Sequence, residues 1–291
     1  MHRYLVLFTV AAALLGGAAA TSTRSLQAPP LPSSKAVPGA FVWHDLVTDN
    51  PAASRAFYGA LFGWTFEQGE GIDPGYTIAS HDGRQIAGIV PFRRREGEAA
   101  VAQWVSYVVV ANVDQATETF RRSGGRVFRG PLNARKDLRV AVVADAQGAA
   151  LGLANRGPLL EDEHPPALNR WLWMEYVARD TDAALKFYGD VIGYRHEVQK
   201  ERNDFTYYLL TADRPRAGLF RSPWDRETSA WLPYVRVADP AAMAARAVEL
   251  GGSVVLQPRP DVRNGSLAIV LDPTGAPVAL QRFPFETGAT P

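Results

Sequence analysis

The feature that most constrains this chain is a segment that occurs twice. Residues 41–64 and 171–194 align without a gap at an offset of 130 residues. Each copy starts with a mostly apolar stretch, passes through a polar break and continues with apolar residues at helical spacing, followed by glycine. This order predicts a strand followed by a capped helix, present in two copies. The identical positions are Trp43/Trp173, Val47/Val177, Ala53/Ala183, Phe57/Phe187, Tyr58/Tyr188, Gly59/Gly189 and Gly63/Gly193.

A second repeat lies between and after the copies of the first. Residues 104–149 align with residues 231–276 at an offset of 127, again as a strand, a helix and a Gly-Gly pair before further strands. The chain therefore contains four similar units in the order A, B, A′, B′. Such a repeat indicates a duplicated fold unit, and we predict two domains, each made of two strand-helix-three-strand units. The identical positions are Trp104/Trp231, Tyr107/Tyr234, Val110/Val237, Gly124/Gly251, Gly125/Gly252, Pro131/Pro258, Asp145/Asp272, Gly148/Gly275 and Ala149/Ala276.

The flanking segments are predicted to lie outside these units. Residues 1–20 combine Arg3, an apolar run and small residues up to Ala20, the pattern of a secretory signal peptide; an uncleaved membrane anchor is the alternative. Residues 21–39 are rich in Pro, Ser and Ala, which indicates a flexible linker. We therefore expect a secreted or periplasmic protein, cleaved near Ala20 and then free of the membrane. The remaining chain divides into a first domain at 40–156, a linker at 157–168, a second domain at 169–286 and a tail at 287–291.

Charge and cysteine content exclude several classes of function. The chain has 31 Lys and Arg against 30 Asp and Glu, a balance that indicates neither a nucleic-acid partner nor an anionic membrane surface. It has no cysteine, so the fold contains no disulfide, no thiolate metal ligand and no cysteine nucleophile. The expected partner is a small molecule, and the sequence leaves open whether the chain is a monomer or a homodimer.

The four units resemble the vicinal oxygen chelate superfamily, which includes glyoxalase I, extradiol dioxygenases and bleomycin-resistance proteins. The motifs that carry the resemblance are FYGALFGW at 57–64, FYGDVIGY at 187–194, the Gly-Gly pair of each B unit, and the turns DAQGA and DPTGA. The tandem arrangement is most similar to the two-domain glyoxalase-like proteins typified by a mycobacterial antigen. The resemblance covers about residues 39–285 and implies an α+β fold, in which four βαβββ units pair, A with B and A′ with B′, into two open mixed-sheet barrels.

Metal-using members of this superfamily carry ligands on the first and last strands of their units. None of the side chains at the corresponding positions here can bind a divalent cation, although a site needs about three or four N or O donors. We therefore predict no metal and no other cofactor. His44, which follows Trp43, shares the face of Val42 and Leu46. It is expected to be a structural residue that packs against the helices. The corresponding positions are Trp43, Val105, Trp173 and Leu232 on first strands, and Gly152 and Ala279 on last strands.

Alternation along the strands places two equivalent sets of side chains inside the predicted barrels. The first set is Trp43, Asp45 and Tyr107, and the second is Trp173, Glu175 and Tyr234. Carboxylates and phenols are costly to bury unpaired, so one interpretation is a structural hydrogen bond from each tyrosine to its carboxylate. A second is ligand binding, and a third is general-base catalysis by the carboxylate with the tyrosine as proton donor. All three interpretations remain open.

Arg236 distinguishes the second predicted barrel, because Val109 takes its place in the first. An arginine on the interior face could bind a carboxylate or phosphate of a ligand, or form a salt bridge with Glu175. Phe205 and Tyr208 are expected to extend the aromatic lining.

Two functions of different classes fit these residues. The missing metal ligands favour an exported glyoxalase-like protein that binds a small organic molecule in one or both barrels. The alternative implied by the resemblance is a metal-dependent lyase, isomerase or dioxygenase with a non-standard site. The sequence does not decide whether the chain is an enzyme.

Elemental analysis of protein purified from the periplasm without a histidine tag tests the predicted absence of a metal. We expect no stoichiometric Zn, Ni, Mn or Fe, because the donor set for such an ion is missing. About one metal equivalent per chain that disappears in an Asp45→Ala/Glu175→Ala double variant would contradict this and direct the work to lyase and dioxygenase assays.

Overall fold

A computed structural model of the 291-residue chain describes residues 37–69, 74–94, 100–157, 165–202, 205–224 and 228–284. The predicted signal peptide, the tail and most of both linkers lie outside these ranges. Within them, no helix has both the length and the apolar composition that a membrane crossing requires.

The first domain contains a strand, a helix and three strands, followed by the same series again. Its elements are β1 (Phe41–Thr48), α1 (Pro51–Phe62), β2 (Thr65–Gln68), β3 (Thr77–His81), β4 (Arg84–Pro91), β5 (Ala102–Val109), α2 (Val113–Arg122), β6 (Arg126–Arg135), β7 (Leu138–Ala144) and β8 (Ala150–Ala154).

The second domain repeats this series, with one added turn of 3-10 helix at Arg263–Gly265. Its elements are β9 (Trp171–Ala178), α3 (Thr181–Ile192), β10 (Arg195–Arg202), β11 (Phe205–Thr211), β12 (Pro215–Arg221), β13 (Ala230–Arg236), α4 (Pro240–Glu249), β14 (Ser253–Leu256), β15 (Leu267–Leu271) and β16 (Pro277–Gln281).

Each domain forms an eight-stranded mixed sheet, and the two sheets have the same topology. The strand orders are β2-β3-β4-β1-β5-β8-β7-β6 and β10-β11-β12-β9-β13-β16-β15-β14. At the centre of each sheet the two first strands pair antiparallel, β1 with β5 and β9 with β13. Each of these strands pairs parallel with the last strand of its own unit. The predicted α+β fold, with paired βαβββ units, is confirmed.

The helices begin and end where the sequence places their signals. The side chains of Asn50, Asn112, Asp180 and Asp239 each accept a hydrogen bond from a main-chain N–H of the first turn. Helices α1 and α3 end at Gly63 and Gly193, whose φ angles of 73° and 86° lie in the left-handed region that favours glycine. The local chemistry of the polar breaks therefore fixes the strand-helix connections.

The four helices pack across the boundary between the domains. Helix α1 contacts α4, and α2 contacts α3. Two buried clusters each combine residues of both domains; one contains Phe57 and Val270, the other Phe120 and Phe187. The rings of Phe120 and Phe187 meet edge to face at 4.9 Å. The apolar core is thus shared by the two domains.

The turn aspartate of unit B is buried against the second domain. Asp145 Oδ2 accepts hydrogen bonds from Tyr188 Oη at 2.7 Å and from Tyr176 Oη at 2.6 Å. Trp231 Nε1 donates to Tyr188 Oη at 2.8 Å. Burial raises the pKa of Asp145, while the hydrogen bonds from both phenols oppose the rise.

The turn aspartate of unit B′ makes the reciprocal contact with the first domain. Asp272 Oδ2 accepts from Ser54 Oγ at 2.9 Å. Burial, and next the charge of Asp272, raises the pKa of Tyr58. Trp104 Nε1 donates to Tyr58 Oη at 3.1 Å. The repeated motif residues therefore join the tyrosine of one domain to the aspartate of the other.

His44 lies between the two sheets, as expected of a structural residue. Its ring is 2% exposed, its Nδ1 is 2.8 Å from Ser106 Oγ, and it packs on Trp171 of the second domain with ring centroids 4.3 Å apart. Leu46 shares this orientation, since it belongs to a cluster with residues of α1 and α4.

The expectation that Val42 shares the face of His44 is wrong. The pairing of β1 with β5 shifts register between Phe41 and Trp43. A bulge of this kind adds one residue and reverses the alternation. Val42 consequently packs with Val109 and Ala154 on the face away from the helices, whereas Phe41 packs in the shared core.

The burial of His44 predicts a loss of stability in mild acid. Desolvation lowers the pKa of His44 from 6.5 to about 3. Its neutral form stabilises the fold fully above pH 6.5, and this contribution is lost as pH falls from there towards the folded-state pKa. From about pH 7.5 to about pH 5 we expect a loss of roughly 2 kcal/mol in the free energy of unfolding, measured in urea. A His44→Gln variant is expected to lose less over this interval.

The exposed His196 supplies the control for this measurement. His196→Gln is expected to keep the full pH dependence of the native chain. If His44→Gln and the native chain show the same loss between these pH values, the explanation through His44 is wrong.

Candidate functional site

The second sheet has an apolar face turned away from the helices, here called the inner face. It is built from alternate residues of its strands, because the intervening residues, such as Met174 and Tyr176, pack in the shared core. The inner face consists of buried Val177, Leu232, Tyr234, Leu267, Ile269 and Ala279, with partly buried Leu172, Trp173, Phe220, Trp224, Val255, Leu256 and Val262 packed against them.

Glu175 is buried within the inner face and accepts hydrogen bonds from three side chains. Its side chain is 1% exposed. Oε1 accepts from Tyr207 Oη at 2.7 Å and from Arg263 Nη2, and Oε2 accepts from Tyr234 Oη. Trp173 Nε1 in turn donates to Tyr207 Oη at 3.1 Å. The predicted hydrogen bond from Tyr234 to Glu175 is confirmed, and Tyr207 joins it.

Arg263 supplies the positive charge that balances Glu175. Its Nη1 donates to Gln281 Oε1 at 3.0 Å, and its guanidinium carbon lies 5.7 Å and 5.4 Å from the ring centroids of Tyr207 and Tyr234. Burial alone would lower the pKa of Arg263, but the charge of Glu175, the two phenols and the hydrogen bond to Glu175 together outweigh it and raise that pKa. Burial, followed by the charge of Glu175, raises the pKa of both tyrosines, so the phenols stay protonated as donors.

The first domain carries a related cluster around Asp45. Asp45 Oδ1 accepts from Trp43 Nε1 at 2.8 Å and from Tyr76 Oη at 2.9 Å. Burial, and then the charge of Asp45, raises the pKa of Tyr76, with a smaller contribution from Tyr107 that places its phenol nearby. Burial lowers the pKa of Arg135, which interacts electrostatically with Tyr76. A hydrogen bond from Tyr107 to Asp45 stays a prediction.

Two glycines make room for the tyrosines that bind the carboxylates. A Cβ added at Gly88 would lie 2.0 Å from Tyr76 Oη, and one added at Gly218 would lie 1.9 Å from Tyr207 Oη. Gly218 pairs with Glu175 across β12 and β9, and Gly88 pairs with Asp45 in the same way. Only glycine allows the phenol to cross its neighbouring strand at this point.

The structure directs Arg236 away from Glu175. Its Nε donates to the main-chain oxygen of Phe283 at 2.7 Å and its Nη1 to that of Pro166 at 2.6 Å. The proposed salt bridge with Glu175 is made by Arg263 instead. Arg236 lies at the end of β13, where it binds the two segments that flank the second domain.

The prediction that Tyr208 belongs to the aromatic lining of the inner face is wrong. Tyr208 packs in the shared core, with its ring 6.0 Å from that of His196. Phe205 and Tyr207 share the opposite face of β11, where their rings lie 5.8 Å and 6.2 Å from Phe220. The alternation along β11 therefore places Tyr207, and not Tyr208, on the inner face.

The residues that sequence reasoning missed had weak signals. Gly88 and Gly218 stand at the same offset of 130 as the first repeat, so the repeat contains them. Tyr76 and Tyr207 are one residue out of that register, and Arg263 aligns at the second offset with Lys136 rather than with Arg135. Because of these small register differences between the copies, the repeat did not align Tyr76 with Tyr207, or Arg135 with Arg263.

The side chains of the inner face do not fit a divalent cation. Indole N–H, phenol O–H and guanidinium groups all donate to Glu175 or to its partners, whereas a cation needs several oxygen or nitrogen acceptors. In the part of the chain that the structure describes, no group of three or more His, Cys, Asp or Glu could hold a metal ion. The absence of a metal stays a prediction for the elemental analysis.

Glu175 is also poorly placed to act as a general base. Both of its oxygens already accept hydrogen bonds, and Oε1 is also paired with the guanidinium of Arg263. The arrangement is suited to holding a ligand against a fixed polar cluster.

A family model described as a glyoxalase-like domain matches residues 172–281. "Putative glyoxylase CFP32" of Mycobacterium tuberculosis is 31% identical over 244 residues, which cover 80% of this chain and 91% of the relative. The chain belongs to the glyoxalase-like proteins of the vicinal oxygen chelate superfamily. Another member, "Anthracycline biosynthesis protein DauV" of Streptomyces sp. strain C5, is 32% identical over 270 residues, or 82% of this chain and 91% of the relative.

Solved structures show the same fold at low sequence identity. The Mn(II)-bound glyoxalase from Novosphingobium aromaticivorans matches with a TM-score of 0.56 and 13% identity, covering 84% of this chain and 82% of that one. Homoprotocatechuate 2,3-dioxygenase from Arthrobacter globiformis matches with a TM-score of 0.56 and 17% identity, covering 92% and 86%. At such identities the likeness concerns the fold alone, and it confirms the fold predicted from the motifs.

Substitution of Gly218 tests the construction of this site. Gly218→Ala is expected to lower the free energy of unfolding by about 1–3 kcal/mol, because the new Cβ overlaps Tyr207 and displaces it from Glu175. Near-ultraviolet circular dichroism should change with the displaced tyrosine. Gly189→Ala, whose new Cβ would approach its nearest neighbour only to 3.4 Å within α3, is the control and should be neutral or stabilising. Equal stability of the two variants would contradict the packing described here.

Proposed function

We propose that the second domain binds a small, planar organic molecule on its inner face without using a metal. The observation that carries the proposal is a set of partly exposed aromatic side chains around a buried carboxylate whose charge is balanced by Arg263. Pockets for small ligands combine apolar and aromatic walls with a few convergent polar groups.

The aromatic side chains form a continuous surface on this face. Tyr207 and Phe220 are stacked, with ring centroids 6.2 Å apart and an interplanar angle of 21°. Phe205 extends the surface from Phe220 and is 42% exposed. Trp173 and Trp224 are partly buried in the same cluster. Partly exposed aromatic rings gain free energy when a flat ligand stacks on them.

Among the described residues, the corresponding face of the first domain has a buried cluster that is largely aliphatic, with Tyr107 packed against it. Trp43 and Tyr76 lie around Asp45, but Val90 takes the register position that Phe220 has in the second domain. The two carboxylate clusters are alike, but the walls around them differ. We therefore assign binding to the second domain.

Relatives give further support to an aromatic ligand. The chain is 32% identical to DauV, which is named for anthracycline biosynthesis, and anthracyclines contain planar fused rings. The name of CFP32 points to glyoxylase activity, for which the inner face offers no suitable cation ligands. We further propose that the protein is exported and binds its ligand outside the cytoplasm, on the strength of residues 1–20.

Tryptophan fluorescence titration with two-ring probes, coumarin and naphthalene, tests the proposal. We expect saturable quenching, since Trp173 and Trp224 belong to the binding face. Phe220→Ala should weaken binding roughly tenfold through loss of one stacking wall. Val90→Ala is the matched control, because Val90 occupies in β4 the register position that Phe220 has in β12.

The control separates binding on the inner face from adsorption elsewhere. Absence of saturable binding, or binding that Phe220→Ala leaves unchanged, would overturn the proposal. Equal weakening by Val90→Ala would place the site in the first domain or show a general loss of folding.

A further inference from the structure

We infer that Arg263 selects the ligand: the inner face takes an uncharged planar aromatic compound that carries a carbonyl oxygen, and Arg263 donates to that oxygen. This inference rests on the proposed binding function and specifies the chemical class of the ligand.

The first ground is the unused hydrogen-bonding capacity of Arg263. A guanidinium has five N–H donors in a planar fork. Nη2 donates to Glu175 and Nη1 to Gln281, which leaves the other N–H groups without a partner side chain among the described residues. The Arg263 side chain is 26% exposed, whereas Glu175 below it is 1% exposed. Arg263 is therefore the charged member of the cluster that a ligand can reach.

The second ground is the direction of the other polar groups. Tyr207 Oη donates to Glu175 and accepts from Trp173 Nε1, so both of its hydrogen-bonding roles are in use. Tyr234 Oη donates to the second oxygen of Glu175 and is part of a residue that is 1% exposed. What the cluster still offers a ligand is a donor. The matching group on the ligand is an oxygen acceptor.

The third ground is charge. The ion pair of Glu175 and Arg263 is neutral as a unit, and both members sit among apolar side chains of the inner face. A carboxylate on the ligand would add an unbalanced negative charge beside Glu175, and its desolvation is costly. A carbonyl oxygen accepts the same hydrogen bond without that cost. A ketone, quinone or lactone oxygen on an aromatic ring therefore fits better than an acid.

The fourth ground is the position of the aromatic surface relative to the arginine. The Arg263 guanidinium lies over the ring of Tyr207, and Tyr207 is stacked with Phe220. Tyr207 thus contacts both the aromatic wall and the guanidinium, and a flat ligand that extends along Phe220 and Tyr207 can reach the donors of Arg263. Stacking orients the ring plane, and the hydrogen bond fixes which ring edge faces the polar cluster.

Three matched probes test the inference by fluorescence titration: coumarin with a ring carbonyl, naphthalene without one, and coumarin-3-carboxylate with a negative charge. On the native chain we expect coumarin to bind roughly fivefold tighter than naphthalene, the effect of one directed hydrogen bond. We expect coumarin-3-carboxylate to bind at least roughly tenfold more weakly than coumarin.

Arg263→Lys keeps the charge beside Glu175 but removes the planar fork of donors. It should weaken coumarin binding roughly fivefold more than naphthalene binding, so that the preference between the two probes disappears. Arg259→Lys is the control on the same loop, since Arg259 is exposed and pairs with Asp261. It should bind all three probes as the native chain does.

A second variant covers the case in which Arg263→Lys does not fold. Glu175→Gln with Arg263→Gln removes both charges together, leaves no buried unpaired ion and should likewise lose the preference for coumarin. If naphthalene binds as tightly as coumarin, or coumarin-3-carboxylate binds more tightly, the inference about the ligand class is wrong while aromatic binding stands. If none of the probes binds, the proposed function itself is wrong.

Discussion

The contact between a turn aspartate of one domain and a helix tyrosine of the other determines how the two sheets are placed. Asp145 is buried, and its carboxylate accepts hydrogen bonds from Tyr176 and Tyr188. A carboxylate enclosed in this way is tolerated only while its donors are present, so domains that moved apart would leave polar groups unpaired. The same contact exists in reverse around Asp272 and Tyr58. Duplication of one unit has thus supplied both halves of the interface.

The interface also explains why the carboxylate clusters lie where they do. Glu175 follows Met174 and precedes Tyr176 in β9, and both neighbours contact the first domain. Because side chains alternate along a strand, fixing these two residues towards the other domain fixes Glu175 towards the inner face. Asp45 is placed in the same way by His44 and Leu46 on β1. In each domain, the orientation of the first strand therefore determines both the domain packing and the geometry of the site.

The carboxylate cluster of the second domain carries its own counter-charge. In the second domain a guanidinium, two phenols and an indole N–H surround one carboxylate, so positive charge is supplied by the chain itself. A fixed cation with spare donors can hold a ligand oxygen without an added ion. The proposed assignment of binding to the second domain rests on the aromatic wall, in which Phe220 takes the register position of Val90. One fold can in this way serve unrelated chemistries.

The amino-acid sequence by itself determined the four units and the helix boundaries that make up the α+β fold, because repeats and caps are local properties. Strand alternation, which is also local, placed Asp45 on the face of the first sheet away from the helices, and Glu175 and Tyr234 on the corresponding face of the second sheet. Only the tertiary structure decided that Arg263 rather than Arg236 pairs with Glu175. Arg263 and Glu175 lie far apart in sequence and are brought together by sheet pairing. The tertiary structure also reversed Val42 through a bulge in the pairing of β1 with β5, whereas the position of Tyr208 follows from the alternation along β11. Long-range contacts depend on strand register and on bulges, which the local sequence pattern does not reveal.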